Sequence, residues 1–559
     1  MVKKILFLFS KEISGLHQAA YLLAFFTLIS QILALVRDRL LAHTFGASST
    51  LDIYYAAFRI PDIILVFAAS VVSISILVPF LVEKINESTE IGHNFIKHVF
   101  TSFFIFIIFV STIVFFLIPY ITNIVFPGID DPKSVQELIM LTRILLLSPI
   151  ILGLSNLFSS ILQVFKRFFT YAIAPVLYNV GIIIGIIFLY PIFGIKGLAF
   201  GAVLGALMHF FVQVPIVIKR GFLPAFVFPI NLGYVKKIIW NSLPRTFTLS
   251  TSQLSILILL GMASVMQEGS ISIFNFSNNL QSVPLALIGA SYSLAVFPML
   301  SKFFSDGDRK NFLDHTITAV RHIIFWSLPI TIMFIVLRAQ IVRTILGSGS
   351  FSWSDTKLTA ASLAIFVVSA VAQGLILLFI RGYYASGNTK KPLLINTISA
   401  ILIIVFSFLL TNLFVSSNFF RFFIESLFKV EWLSGSEILM LPLAYTLGTI
   451  INMTMFWFAF QKDFGKFYNL IKKTLLHSFS ASIILGFVAY KFLDVFDNLF
   501  DIKTLVGIFM QGLLAGVVGI IFYIIVLKLL KNIELEEVLV SIKDKIWKIN
   551  IVAPGKEEL

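Results

Sequence analysis

The amino-acid sequence predicts an all-α integral membrane protein with about 14 transmembrane helices. Of the 559 residues, 58% are hydrophobic, 13% are charged and 61 are phenylalanine, and the mean hydropathy is +0.98. A soluble domain is about 45–50% apolar and about one quarter charged, so this composition exceeds what a water-soluble core requires. Apolar runs of about 20 residues, the length that crosses a bilayer as a helix, recur along the whole chain.

The predicted spans follow one another with short polar connections. They cover residues 16–41, 52–82, 96–119, 137–162, 170–190, 195–218, 237–264, 271–301, 318–338, 357–381, 392–415, 436–461, 469–491 and 503–530. Residues 1–15 begin with a basic pair, but Lys11 interrupts an apolar run too short for a signal peptide. We expect a retained cytoplasmic stub there. Residues 531–559 form a charged tail, whose helix either lies in the membrane interface or is solvated.

The net charge of +14 indicates the orientation of the spans. Lysine and arginine collect in alternate connections, as in Lys166–Arg167 and Lys390–Lys391, whereas the opposite connections carry few cations. Under the positive-inside rule both termini are cytoplasmic and the number of spans is even. Because the cations do not gather on one soluble face, we expect no nucleic-acid partner. The chain has no cysteine, which excludes disulfides and thiolate metal sites.

Two motifs recur at a common offset. Pro175-x-x-x-Asn179 and Pro392-x-x-x-Asn396 each follow a basic loop, about 217 residues apart, and the Pro79 and Pro298 motifs recur at about 219. An even number of spans separates the copies, so the offset predicts a parallel six-helix duplication around an axis along the membrane normal. The predicted domains are therefore an N-lobe at 16–225, a C-lobe at 226–465 and two extra helices at 466–530.

Polar side chains inside the predicted spans are the candidate substrate-binding residues, because an ionisable group at bilayer depth is costly and usually faces a cavity. Span 1 carries Arg37 and Asp38, and Asp52 and Arg59 share one helical face at the start of span 2. Arg245 follows a proline in span 7. Span 8 begins with an amide-rich segment that contributes Asn278, Asn279 and Gln281.

Structural alternatives exist for these residues. Arg37 and Arg39 would then extend to the interface, Asp38 and Asp52 would cap helix ends, and the amides of span 8 would only join helices. We expect no enzyme, cofactor or metal site. The sequence has no Gly-rich phosphate loop, and Asp130–Asp131 has no second acidic motif to complete a metal-dependent transferase.

The stretch VRDRLLAHTFGASSTLDIYYAAFRIPD at 36–62 resembles the start of the MurJ (MviN) family of lipid II flippases, in the MOP superfamily of exporters. Residues 165–179, 274–284, 296–302 and 381–396 resemble further segments of that family, and the order is kept through spans 1–12. The two extra helices match the additional C-terminal helices of the family.

The resemblance implies two six-helix lobes around a central cavity that opens alternately to each side. The substrate would be lipid II, a polyprenyl pyrophosphate that carries the peptidoglycan disaccharide-peptide. Arg37 and Asp38 match an Arg-Asp pair that lines the cavity, and Asp52 matches a further acidic position. The helices at 466–530 would form a groove for the lipid tail.

The chain departs from the family pattern at several positions. The family commonly has arginine at the positions of Gln31 in span 1, Val66 in span 2 and Asn279 in span 8. It commonly has glutamate at the position of Ser70 in span 2. We expect Arg59 and Arg245 to supply the missing positive charge. The predicted function is a lipid II flippase of the bacterial cytoplasmic (inner) membrane, with membrane lipids as partners and no oligomer required. The alternative is a MOP-type exporter of another lipid-linked oligosaccharide or of drugs.

Overall fold

The structure is a computed structural model that describes residues 16–71, 74–222, 225–501 and 503–547. The described residues contain helices and no strand. The helices of the first half are α1 Leu16–Phe45, α2 Ser49–Val71, α3 Ile74–Glu87, α4 Thr89–Val125, α5 Pro132–Leu145, α6 Leu147–Val164, α7 Phe168–Ile184, α8 Tyr190–Phe193, α9 Ile195–Phe211, α10 Val214–Lys219 and α11 Leu232–Ser264.

The helices of the second half are α12 Ser270–Pro284, α13 Ser291–Ser305, α14 Arg309–Val336, α15 Arg338–Ile345, α16 Trp353–Val368, α17 Ala370–Ala385, α18 Lys390–Ser416, α19 Asn418–Phe428, α20 Met440–Phe464, α21 Tyr468–Asp497, α22 Leu505–Leu529 and α23 Ile533–Trp547. Short π-helical turns at Gly185–Leu189 and Leu285–Ala290 follow α7 and α12. A helix or a pair of helices covers each predicted span.

The predicted membrane character is confirmed. Within the described residues, 11 helices are long and apolar enough to cross a bilayer, or 12 when α16 and α17, bent by 42°, are counted as one span. These correspond to the third through the fourteenth predicted spans. Helices α1, α2 and α3 cover the first two, and α1 and α2 carry Arg37, Asp38, Asp52 and Arg59.

The described residues form two compact units. The first comprises the residues up to Leu280 together with Ile345–Ser362 and Thr389–Gly448, and the second comprises Gln281–Thr344, Leu363–Asn388 and the residues from Thr449 onward. The first unit thus combines helices of the predicted N-lobe with parts of the predicted C-lobe. The lobe boundaries at 225 and 465 remain predictions.

In the first unit, close packing of α7 on α9 positions the helix that carries Asn179. A Cβ on Gly181 would lie 2.2 Å from the Cα of Gly205, so only glycine permits this approach. Helix α1 packs along the same α7, and α2 packs against α5 and α11. These contacts bring the charged segments of α1 and α2 into the interior of the unit.

In the second unit, α21 packs between α14 and α22. The Tyr523 hydroxyl on α22 donates to the carbonyl of Phe325 on α14, at 2.8 Å. The tail helix α23 is attached to the same group through Glu534, which is buried and pairs with Arg321 of α14 at 2.6 Å. The tail helix is therefore packed on the spanning helices, a contact that neither expectation for the tail included.

Candidate substrate site

The centre of the candidate site is the pair formed by Arg37 and Asp38 on α1. The Nη2 and Nε atoms of Arg37 donate to Oδ1 of Asp38 at 2.8 and 3.0 Å. Asp38 is buried, whereas 21% of the Arg37 side chain remains exposed. A charge-assisted pair of this kind offsets much of the cost of removing two charges from water. The pair keeps a guanidinium inside the helix bundle.

Two amide side chains hold this pair from neighbouring helices. Asn179 of α7 accepts from Nη1 of Arg37 at 3.3 Å, and its own Nδ2 donates to the hydroxyl of Ser30 at 3.1 Å. Asn279 of α12 donates to Oδ2 of Asp38 at 3.0 Å. The structure thus brings together Arg37, Asp38 and Asn279 from the predicted set. Asn279, at a position where the family commonly has arginine, neutralises no charge but satisfies the second carboxylate oxygen.

Arg59 lies on α2 and contacts a different residue of α12. Its Nη2 donates to Oδ1 of Asn275, and its Nε is buried without a hydrogen-bond partner among the described residues. A buried guanidinium N–H without a partner is costly. The Nε–H group of Arg59 therefore remains available as a hydrogen-bond donor for a ligand oxygen.

Asp52 occupies the first turn of α2 and closes the start of α12. Its carboxylate accepts from the backbone N–H groups of Gly269 and Ser272, both at 2.8 Å, and from the Ser272 hydroxyl at 2.6 Å. Glu268, beside it, accepts from the backbone N–H of Ser49 at 2.8 Å. Orphan N–H groups at a helix start favour a carboxylate, so these contacts match the helix-capping alternative for Asp52.

The remaining predicted residues are Asn278, Gln281 and Arg245. Asn278 lies half-buried on α12. Gln281 belongs to the second unit, where it is buried and accepts from Nε2 of Gln373 at 3.2 Å. Arg245 lies on α11, and its side chain is outside the described residues. No group of three or more His, Cys, Asp or Glu residues that could hold a metal ion is present in the part of the chain that the structure describes.

Sequence reasoning missed Ser30, Asn179 and Asn275 as members of the site. Asn179 had a signal, because it ends the repeated Pro-x-x-x-Asn motif, and Asn275 lies in the amide-rich start of span 8. Neither signal indicated which charged residue the amide would contact. An amide in a span can just as well join two helices as line a binding site.

The geometry agrees with a comparison of the chain with known protein families. The model of the family described as lipid II flippase MurJ matches residues 41–419, which is more than half of the chain. The chain belongs to the MurJ family of lipid II flippases. It is accordingly a multi-pass protein of the inner membrane, in a family of transporters rather than of enzymes.

Individual MurJ relatives cover most of the chain. The lipid II flippase MurJ of Burkholderia cenocepacia is 26% identical over 396 residues, which are 68% of this chain and 75% of the relative. The probable lipid II flippase MurJ of Rickettsia prowazekii is 29% identical over 390 residues, 69% of this chain and 76% of the relative.

Solved structures give the same fold. A lipid II flippase MurJ in an inward closed conformation aligns with a TM-score of 0.72 and 26% identity, and the alignment covers 92% of this chain and all of that one. An inward-facing multidrug resistance MATE transporter of the MOP superfamily aligns with a TM-score of 0.61 over 80% of this chain and 96% of that one. At 14% identity the second alignment shows the fold alone.

Proposed function

We propose that this chain translocates lipid II across the cytoplasmic membrane by alternating access, and that Arg37 binds the pyrophosphate of the substrate. The observation that carries the proposal is Arg37, a partly exposed cationic side chain held inside the helix bundle by Asp38 and Asn179. A planar guanidinium recognises phosphate oxygens through two parallel N–H donors, and arginine stays charged at any physiological pH.

Asp38 orients this guanidinium and neutralises it when no substrate is bound. Three donors reach its carboxylate, two from Arg37 and one from Asn279, so its hydrogen-bond capacity is met within the site. An arriving pyrophosphate competes for the same guanidinium. The competition keeps the affinity moderate, and a transporter needs moderate affinity because it must also release its substrate.

Arg59 is a second contact for the substrate. Its unpartnered Nε supplies a donor, and Asn275 fixes the orientation of the side chain. Arg245 on α11 would add a third cation, in line with the expectation that it supplies positive charge to the site. The amides Asn278 and Gln281 would contact the sugar or peptide part of the substrate.

Asp52 and Glu268 close one end of the first unit in the conformation described. They attach the start of α2 to the turn before α12 through four hydrogen bonds. We infer that these bonds break when the transporter opens to that side. In the predicted topology, with both termini cytoplasmic, this end faces outward. The helices at 466–530 would hold the polyprenyl tail of the substrate.

Rescue of bacteria depleted of their own lipid II flippase tests the proposal. Expression of this chain is expected to restore growth and the appearance of lipid II on the outer leaflet. Arg37→Glu is expected to abolish both, whereas Lys133→Glu, the same charge change at an exposed connection, is expected to keep them. Failure of the unaltered chain despite normal membrane expression would favour an exporter of another lipid-linked oligosaccharide or of drugs.

A further inference from the structure

The helix α19, which the sequence analysis treated as part of a connection, turns its apolar face away from the protein. Phe419, Phe422, Phe423 and Leu427 are 82%, 62%, 53% and 56% exposed. In a helix that faces water, these side chains would be directed toward the core. Large contiguous apolar surfaces of this kind indicate a contact with lipid or with another protein.

The opposite face of α19 carries its charged pair. Glu425 is buried and accepts from Nε of Arg421 at 2.9 Å and from the hydroxyl of Ser436 at 2.6 Å, and its neighbour Ile424 is also buried. The helix is therefore inverted relative to a soluble amphipathic helix. The hydrogen bond from Ser436 to Glu425 attaches α19 to the protein, and the phenylalanine side chains on the other face are directed outward.

The position of α19 in the chain confines it to the membrane boundary. The spanning helix α18 ends at Ser416, and Ser417 alone separates it from α19, whose first turn it caps by accepting from the N–H of Phe420. The next span begins within about 10 residues of its end, at the short helical turn Ser436–Leu439. Between these two fixed points, Trp432 is 96% exposed.

We propose that α19 and Trp432 form an interfacial anchor, whose phenylalanine and tryptophan side chains insert between lipid headgroups and acyl chains. An amphipathic helix of about 16 Å with an aromatic face has the composition that binds at this depth, and tryptophan is enriched at the same level. The occupant is lipid because both flanking segments hold α19 against the bilayer. The family match ends at residue 419, so nearly all of the anchor lies beyond it.

The anchor is connected to the closed end of the first unit. Gln267, the residue before Glu268, donates from Nε2 to the hydroxyl of Ser434 at 3.1 Å and from its backbone N–H to Glu437 at 3.3 Å. The turn that attaches to the start of α2 is thus held at a fixed depth by the interfacial anchor. The assignment of this boundary to the outer leaflet rests on the proposed topology and function, whereas the lipid contact does not.

Spin labelling of single cysteines tests the anchor directly, because the chain has no cysteine to remove. The full chain is labelled at Phe422→Cys, Phe423→Cys or Glu431→Cys and reconstituted in vesicles of phosphatidylethanolamine and phosphatidylglycerol. Each native side chain is exposed, so the substitutions create no cavity. Collision of the label with oxygen, which concentrates in lipid, is compared with collision with a water-soluble nickel chelate.

Labels at 422 and 423 are expected to collide several-fold more with oxygen than with nickel, and the label at the charged residue 431 is expected to show the reverse. Nickel access at 422 and 423 equal to that at 431 would overturn the proposal, because the face would then lie in water. Exclusion of both reagents would also overturn it, in favour of a second copy of the chain. The measurement needs no transport, so it stands or falls independently of the proposed function.

Discussion

The two units of the molecule each hold a buried arginine–carboxylate pair, and the two pairs differ in what they join. In the first unit, Arg37 and Asp38 are adjacent on one helix. In the second unit, Arg321 of α14 pairs with Glu534, which is 213 residues away on the tail helix. The exposed fractions of the two arginine side chains are similar, at 21% and 19%.

The difference separates a pair that attaches helices to one another from a pair that is proposed to bind the substrate. The Glu534 carboxylate also accepts from Thr474 at 2.5 Å and from Asn532 at 2.7 Å, so the pair links three segments of the second unit. The Arg37–Asp38 ion pair lies on one helix, and its contacts with other helices are hydrogen bonds to the neutral amides of Asn179 and Asn279. In the proposed function, the task of this pair inside the membrane bundle is the binding of an anion.

The largest expected effect is that the same substitution lowers translocation at Arg37 and lowers stability at Arg321. Arg37→Gln removes the positive charge and is expected to lower the rate of lipid II translocation on the order of 100-fold, the equivalent of one or two charged hydrogen bonds. Arg321→Gln is expected to leave the rate near normal and to lower stability by about 3 kcal/mol, because it leaves Glu534 without its cation. Translocation in vesicles and thermal unfolding measure the two effects.

The matched substitutions serve as controls for one another, since both replace arginine with the same neutral amide. A fall in translocation for Arg321→Gln while α23 stays protected from protease would contradict the separation. So would an unchanged rate for Arg37→Gln at normal levels of folded protein.

An intermediate effect is expected from moving the charge across the site. Asn279 donates to the carboxylate oxygen of Asp38 that Arg37 leaves unoccupied. The double variant Arg37→Gln with Asn279→Arg is therefore expected to recover part of the translocation lost in Arg37→Gln. Translocation by both variants and by Asn279→Arg alone, in the same vesicles, measures the recovery. As a control, Arg37→Gln is combined with Asn278→Arg, which places the same charge one residue earlier on α12. This variant is expected to recover less translocation, and equal recovery would show that only net charge matters.

The positions of the helices could be predicted from hydropathy, because a span needs a run of apolar residues whatever it packs against. Arg37 and Asp38 could be chosen as candidates for the converse reason, since charge is expensive in such a run, and their role in binding stays a prediction. Their contacts could not be predicted. Asn179 lies 142 residues from Arg37, and only the glycine-dependent approach of α7 to α9, together with the packing of α1 on α7, brings the two together.

Helix α19 escaped prediction for a different reason. Its 11 residues are too few to span the membrane, so a search for apolar runs of about 20 residues passes over it, although one face is apolar and the other carries a charged pair. The Arg421 and Glu425 side chains, four positions apart, were the available signal. Glu425 is buried toward the protein through its contact with Ser436, which no local pattern connects to it, whereas half of the Arg421 side chain is exposed.

The smallest expected effect is a pH dependence of the tail attachment. Burial opposes ionisation of Glu534, but hydrogen bonds from Thr474 and Arg321 more than offset it and lower the pKa of this carboxyl below its ordinary value of 4.5. A carboxyl with a lowered pKa in the folded state stabilises that state fully above its unfolded pKa. The contribution is lost as the pH falls through the lower folded value. We therefore expect α23 to stay attached from neutral pH down to about 4.5 and to detach under stronger acid.

Hydrogen exchange of the α23 backbone amides, measured between pH 7 and pH 3 and corrected for the intrinsic pH dependence of exchange, reports this detachment. Glu534→Gln is the control, because a neutral amide keeps the shape of the side chain and cannot titrate. It is expected to show weaker protection at neutral pH and no acid transition of its own. A transition of equal size in Glu534→Gln would assign it to other groups, and the comparison between the two arginine pairs would then rest on the Arg321→Gln stability measurement alone.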